Sequence, residues 1–313
     1  MAELTYAQNL RSGSSTSKKR RKNAELRRLA VGLGFISPWI IGFLAFTFYP
    51  MIASFYYSLT TYDAISPPHF VGLANYRHLF LDDSLFRTAL YNTMYFVIIG
   101  VPVGFVVAFL LASLLNQPMR GRAFFRTVFF LPAITPLVGT AMVWLWIYDP
   151  QFGLINSFLA GHGFKAIPWL TSTSVAKPAI IIILTWAQGS TILVFLAALQ
   201  GVPQHLYEAA TIDGANTIRR FWHVTIPMCT PSMLFVLVTS LIASFQSFTL
   251  PWLLTQGGPD NSTELYGVYL YRNAFVYFKL GYASAMAWLL FLIICGFSIL
   301  LMKTSARWVY YAE

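Results

Sequence analysis

Charge is scarce in this chain. Asp, Glu, Lys and Arg make up 10% of its 313 residues, against about a quarter in a soluble globular domain. The shortfall is concentrated: no charged residue occurs in 29–62, 88–119, 127–148, 178–207, 221–259 or 280–302. Each window is long enough for the roughly 20 helical residues that cross a hydrocarbon core. A water-soluble fold is excluded, and six membrane helices are expected. The longest window holds one crossing, 229–253, because 221–227 is amphipathic and TQGGP (255–259) reads as a turn.

Catalytic groups are missing too. The five histidines fall in loops, none at H-x-x-x-H or H-E-x-x-H spacing, and no G-x-x-x-x-G-K-[ST] phosphate loop occurs. The chain therefore binds no cofactor by any such motif, and an intramembrane enzyme is disfavoured. No carboxylate lies within the six windows, which argues against a carrier coupled through a buried acid. Backbone-coordinated sodium escapes that test, so a self-sufficient carrier or channel stays open as the alternative. The two cysteines, Cys229 and Cys295, sit in expected spans and read as small apolar packers.

The charge that is present sorts by side. Six crossings place both termini together. Their side carries fifteen Lys and Arg, eight of them before residue 29, and the opposite side carries six. The excess marks the termini as cytoplasmic, and the assignment rests on the tail, Lys18-Lys19-Arg20-Arg21-Lys22 with Arg27-Arg28. A basic run before a first span sets topology and meets anionic lipid; neither it nor the net charge of +10 is read as a nucleic-acid site. The organisation is thus a basic, disordered tail (1–28), a six-helix membrane domain (29–302) with a loop at 200–228, and a short tail (303–313). Pro132 and Pro136, four apart in the third span (124–147), predict a kinked or opened helix. The fourth span is expected at 178–199 and the second at 88–115. VGLANYRHLF, after Pro67-Pro68, is placed as a short surface helix.

Polar residues inside the spans are neutral. Ser240, Ser244 and Ser247 share one expected helix face with Gln246 beside them, and Gln188, Ser190 and Thr191 cluster next to Trp186. Hydroxyls, amides and aromatic rings suit an uncharged polyol, although hydrogen bonding between membrane helices explains any single one of them equally well.

The loop EAATIDGANTIRRFWHVTIP (208–227) is built like two short helices. Pro203 suits a first turn, and Leu206, Ala209 and Ala210 follow at helical spacing. Gly214 is placed to end that helix in a left-handed turn. Asn216 or Thr217 can cap a second helix whose Ile218, Phe221, Trp222 and Thr225 line one face until Pro227 stops it. Such an L-shaped elbow outside the bilayer is a docking element.

Glu208-Ala209-Ala210-x-x-Asp213-Gly214-Ala215, followed by Ile226-Pro227, resembles the EAA loop of permease subunits of binding-protein-dependent ABC importers, with Ile226 where many members have Leu. FVGLANYRHLF (70–80), the 129–156 stretch and LTQGGPDNSTELYGVYLYRNAF (254–275) are similar to sugar-importer permeases of the maltose and glycerol-3-phosphate group. The resemblance implies the type I importer fold, all-α with six membrane helices. It also implies a second related permease, two cytoplasmic ATPase subunits that use ATP and Mg, and an extracytoplasmic sugar-binding protein. Glu208, Ala209, Ala210, Asp213, Gly214, Ile226 and Pro227 would couple the chain to the ATPase. Substrate-lining positions would fall near Trp186–Thr191 and at Ser240 and Ser244. Serines stand there where the maltose system has an amide, which implies a different sugar.

Overall fold

The computed structural model describes residues 25, 27–29 and 31–310. The basic run 18–22 and most of the expected tail lie outside the described residues. The chain divides at Tyr56–Tyr57 into two compact units. The first is most of helix α1 (Arg27–Ser58), whose Phe35, Trp39 and Phe46 are exposed, as suits a helix solvated by lipid.

The second unit begins with a two-residue antiparallel ladder, β1 (Thr60–Thr61) with β2 (His69–Phe70), pairing Thr60 with Phe70. The expected surface helix follows as α2 (Ala74–Leu81). Helix α3 (Ser84–Asn116) is the second span, and α4 (Arg122–Ile134) and α5 (Leu137–Ile147) form a pair bent by 104°. Helix α6 (Leu154–Gly161) leads to α7 (Ala176–Trp186) and α8 (Gly189–Gln200), bent by 49°. Helix α9 (Gln204–Ile212) precedes the long α10 (Thr217–Phe245). Then come α11 (Thr249–Thr255), α12 (Tyr266–Tyr271, prolonged by a π turn over Arg272–Val276) and α13 (Leu280–Ser305). Among the described residues, α1, α3, α10 and α13 are each long and apolar enough to cross a membrane. The count rises to six if each bent pair is one span.

The bends have local causes. Thr135, before Pro136, is extended (φ −78°, ψ 130°) and Pro136 starts α5, because a residue before proline avoids the helical region. The expected opening of the third span occurs there, while Pro132 is carried inside α4. The fourth span, expected as one helix over 178–199, is instead two. A methyl group on Gly189 would stand 2.8 Å from the Phe129 carbonyl oxygen, so α8 crosses α4 at backbone contact and must turn away from α7 to do it. The fifth span also differs from the expected 229–253. Helix α10 ends at Phe245, and Pro251 sits in the first turn of α11. In a continuous helix the proline ring would collide with the carbonyl four residues back.

Two buried carboxylates pin the end of the molecule where α3, α12 and α13 begin. Asp83 caps α3, accepting from the Phe86 amide at 2.8 Å, and also accepts from the hydroxyls of Tyr269 (2.6 Å) and Tyr282. Burial alone would raise its pKa. The two tyrosine hydroxyls, the Phe86 amide and nearby His78 outweigh that and hold it below the ordinary range. Around it pack Phe86, Tyr266 and Met286. In the loop between α11 and α12, outside the spans, Glu264 is fully buried with Oε2 3.2 Å from Arg272 Nη1. Arg272 also donates to the Gln256 carbonyl and lies over the Trp252 ring. Asn92 of α3 holds this loop by donating to the carbonyls of Asn261 (2.8 Å) and Glu264 (2.9 Å). A methyl group on Gly257 would overlap the Glu264 carboxylate, and Gly257 has φ +86°, a left-handed turn that glycine permits.

Asp83→Ala is expected to cost about 2–4 kcal/mol, because it removes a helix cap and leaves two buried hydroxyls without an acceptor; thermal unfolding in detergent measures it. The folded pKa of Asp83 is lowered, so its stabilisation is present near neutral pH and is lost on acidification through that folded value. Glu264 behaves oppositely. Burial pushes it up to about 7, with Arg272 pulling back. The folded protein therefore holds this proton where the unfolded chain has lost it, and stability contributed here falls as pH rises from about 4.5 towards 7. In Glu264→Gln that part of the slope of melting temperature against pH should vanish.

Candidate functional site

A cavity of about 310 Å³ opens between α3, α7, α8 and α10. Its polar lining is Thr185, Gln188, Thr191, Thr239, Ser240, Ser244 and Ser247, its apolar lining includes Phe96 and Leu184, and it contains no charged side chain. Five of the eight in-span residues singled out from the sequence therefore converge on one space. Trp186, Ser190 and Gln246 do not line it. Trp186 packs edge-on to Trp144 with ring centroids 5.6 Å apart, and Ser190 and Gln246 are exposed elsewhere. Ser247 reaches the cavity but not from the helix face it was expected to share, since α10 has already ended.

The hydrogen-bond state of these side chains decides between packing and contact with a ligand. Elsewhere in the chain many helical hydroxyls satisfy themselves, although Ser298 Oγ of α13 is buried without a partner. Thr93, Ser113, Thr127, Thr211 and Thr304 each donate to the carbonyl four residues back. Thr239 does the same at the cavity's edge, at 2.9 Å. By contrast, the side chains of Thr185, Gln188, Thr191, Ser240, Ser244 and Ser247 have no hydrogen-bond partner among the described residues. Six unspent neutral groups around one cavity form a site for hydrogen-bonding a neutral polar molecule.

Sequence reasoning missed Thr185, Thr239 and the glycines that make room. A methyl group on Gly104 would come 2.7 Å from Gln188 Nε2, and one on Gly100 would touch Ile181. The signal was present as Gly100-x-x-x-Gly104, the spacing that lets membrane helices approach closely.

The elbow is the second component. Helix α9 closes with Gly214 at φ +76° and the Ala215 amide donating to the Ala210 carbonyl at 2.9 Å, a left-handed stop. Pro203 caps α9 from outside rather than forming its first turn. Asn216 caps α10, its side chain accepting from the Arg219 amide at 2.8 Å. Pro227 was expected to stop this helix and does not. The backbone widens into a π turn over Phe221–Thr225, in which the Ile226 amide bonds Phe221 and the chain runs on. The wider turn accommodates a residue that has no amide hydrogen and whose ring needs space. The single face expected for Ile218, Phe221, Trp222 and Thr225 is also split. Phe221 packs on Phe109 and Thr225 is buried, whereas Ile218 and Trp222 point outward and are exposed. Glu208, Ala209, Asp213 and Gly214 are exposed and Ala210 is half-buried. Ile212, 87% exposed, is a further uncovered apolar side chain of the elbow, with Ile218 and Trp222. Ile226 and Pro227 are half-buried at the start of the crossing.

Residues 100–311 match the family model described as binding-protein-dependent transport system inner membrane component. The probable ABC transporter permease protein YesP of Bacillus subtilis (strain 168) is 40% identical over 284 residues, covering 90% of this chain and 92% of that protein. The arabinooligosaccharides transport system permease protein AraP of the same organism is 34% identical over 277 residues, 87% of each. In fold, a permease of a bacterial ABC transporter involved in the import of the acidic polysaccharide alginate superposes with a TM-score of 0.82. It is 24% identical, over 92% of this chain and 99% of that one.

Ser240→Ala, Ser244→Ala and Thr191→Val test the cavity. Since none of these groups bonds the protein, each variant should keep its stability within about 0.5 kcal/mol. Losing one hydrogen bond to a ligand should lower transport by about fivefold. A fall in melting temperature with transport intact would assign them to packing instead.

Proposed function

The chain belongs to the family of binding-protein-dependent transport system inner membrane components, and from that premise we propose that it forms half of the translocation path for a neutral carbohydrate. The observation that carries the cargo class is the set of six unpartnered neutral side chains around an uncharged cavity. Phosphate or sulfonate cargo would want Arg or Lys there.

In this reading the elbow lies in the cytoplasm with both termini, in a bacterial-type inner membrane. It docks on one of two separate ATPase subunits, which bind ATP and Mg; this chain binds neither. A second, related permease supplies the other half of the path, and an extracytoplasmic binding protein delivers the sugar. Glu208 and Asp213 meet basic groups of the ATPase, Ala209 and Ala210 allow close approach, and Gly214 makes the bend. Ile212, Ile218 and Trp222 supply the apolar contact, as the anchors of an interface do.

Coupling follows from connectivity. The elbow's first arm, α9, follows α8, which carries Thr191 and starts just after Gln188. Its second arm is the start of α10, which carries Ser240 and Ser244 about 40 Å along the same helix. A push on the elbow therefore reaches two walls of the cavity through stiff elements, which is what a switch between outward and inward access requires.

Reversing a charge in a docked interface costs about 2–5 kcal/mol. Glu208→Lys should accordingly lower ATP-driven uptake at least about 30-fold, with membrane insertion and melting temperature unchanged. Gly214→Pro should lower uptake likewise, because proline cannot adopt a positive φ and the bend is lost. Normal uptake by either variant, assembled with its partners, would refute the coupling role. ATP-independent sugar flux through the reconstituted chain alone would favour a self-sufficient carrier.

A further inference from the structure

A second cavity, of about 690 Å³, lies at the other end of the molecule and shares no lining residue with the first. Its position follows from two contacts. The Tyr310 amide donates to Thr230 Oγ1 at 2.8 Å, so the end of α13 lies beside the elbow end of α10. The start of α13 is therefore at the far face, where the Gly281 amide bonds the Tyr62 carbonyl at 3.0 Å. The cavity is built there from the loop after β1, from β2 and α2, and from the turn into α13. Its volume falls within the range of about 300–1,000 Å³ typical of small-molecule sites.

Three features set it apart from an ordinary surface recess. Aromatic rings of Tyr62, Tyr277 and Phe278 line it, and Tyr277 and Phe278 are exposed. Among the described residues, the Lys279 amine and the His69 imidazole, which also line it, have no hydrogen bond or ion pair. The backbone is strained on both rims: Phe278 has φ +54° and Ala64 has φ +69°. A bulky aromatic residue in the left-handed region costs on the order of 1–3 kcal/mol, and such strain gathers at functional sites. Here it turns a phenyl ring, 57% exposed, to the cavity.

We propose that this cavity is an outer carbohydrate site, which receives a sugar ring on the extracytoplasmic face before the translocation path. The proposal rests on the elbow facing the cytoplasm and on a carbohydrate cargo. Aromatic plates take the apolar faces of a sugar ring, and the free amine and imidazole bond its hydroxyls. A peptide segment fits less well. The two-residue ladder offers no edge for an added strand. The rim also has no excess of one charge, since Asp63 faces the same space as Lys279.

The test uses the full chain in lipid nanodiscs, titrated separately with maltotriose, arabinotriose and xylotriose and followed by saturation-transfer NMR. At least one sugar should bind, and Tyr277→Ala or Phe278→Gly should weaken it about five- to tenfold. Glycine suits the left-handed backbone, so Phe278→Gly should melt no lower than the parent, which separates a lost contact from a lost fold. Binding should persist in Ser244→Phe, where the translocation cavity is filled. If binding is instead unaffected by the first two variants and abolished by Ser244→Phe, the outer site is refuted while the importer reading stands. Failure of all three sugars to bind also refutes it. Uptake by the assembled importer then shows whether the cargo class falls as well. If sugar-free binding protein shields Lys279 from amine-reactive label, the cavity is a protein-docking recess and the proposal is wrong.

Discussion

A hydrocarbon solvent offers no hydrogen bonds, so each polar group inside it must find a partner in the protein or in something the protein carries. The rest of the structure depends on how this chain meets that constraint. Several serines and threonines on its helices fold back onto their own carbonyls, as Ser113, Thr127 and Thr304 do. Not every exception lies in one place, since Ser298 Oγ of α13 is buried without a partner, but six polar side chains gather at one site. Thr185, Gln188, Thr191, Ser240, Ser244 and Ser247 surround one cavity and make no hydrogen bond among the described residues. The proposed neutral cargo is matched to this site because the groups around that cavity are left unbonded by the protein.

Much of this was legible beforehand because charge is so unevenly spread. Windows without Asp, Glu, Lys or Arg marked most of the spans closely but not the fifth, and the Gly214 turn, the Asn216 cap and the surface helix at 74–81 were readable from local chemistry. The breaks were not. Helix α7 gives way to α8 at Ala187–Gln188 because Gly189 is pressed onto the backbone of α4, a contact between segments 60 residues apart that no local pattern encodes. Helix α10 runs through Pro227 because one wider turn absorbs the proline, and a rule about neighbours in a regular helix cannot foresee a change of helix type. Ser247 reached the cavity for a reason different from the expected one, and Trp186, Ser190 and Gln246 missed it, for the same cause: the faces had been drawn on unbroken helices.

The two ends of the molecule are held differently. At the end where α13 begins, Asp83 joins α3, α12 and α13 through two tyrosine hydroxyls, and Asn92 and Glu264 fix the loop beside them. Buried networks of this kind are costly to break, because each partner left behind is unsatisfied. At the elbow end Glu208, Ala209, Asp213, Ile212, Ile218 and Trp222 are exposed. One end is a fixed frame and the other a surface awaiting a partner, an arrangement suited to transmitting force from the second towards the first.

Transmission further requires that the elbow itself not flex. Two side-chain bonds brace its arms across the bend: Tyr207 of α9 shares a hydrogen bond with the Thr225 hydroxyl at 2.9 Å, and Arg220 of α10 donates to Thr211 of α9 at 2.9 Å. Each is worth about 1 kcal/mol, little against the whole fold but enough to oppose hinging about Gly214. The π turn matters here as well, since Thr225 lies within it and the Tyr207 bond ends there. Proline at 227 is therefore accommodated at the same turn that ties the two arms. In the proposed coupling role, a load on either arm is shared by the other through these two bonds and passes along α8 and α10 towards the cavity.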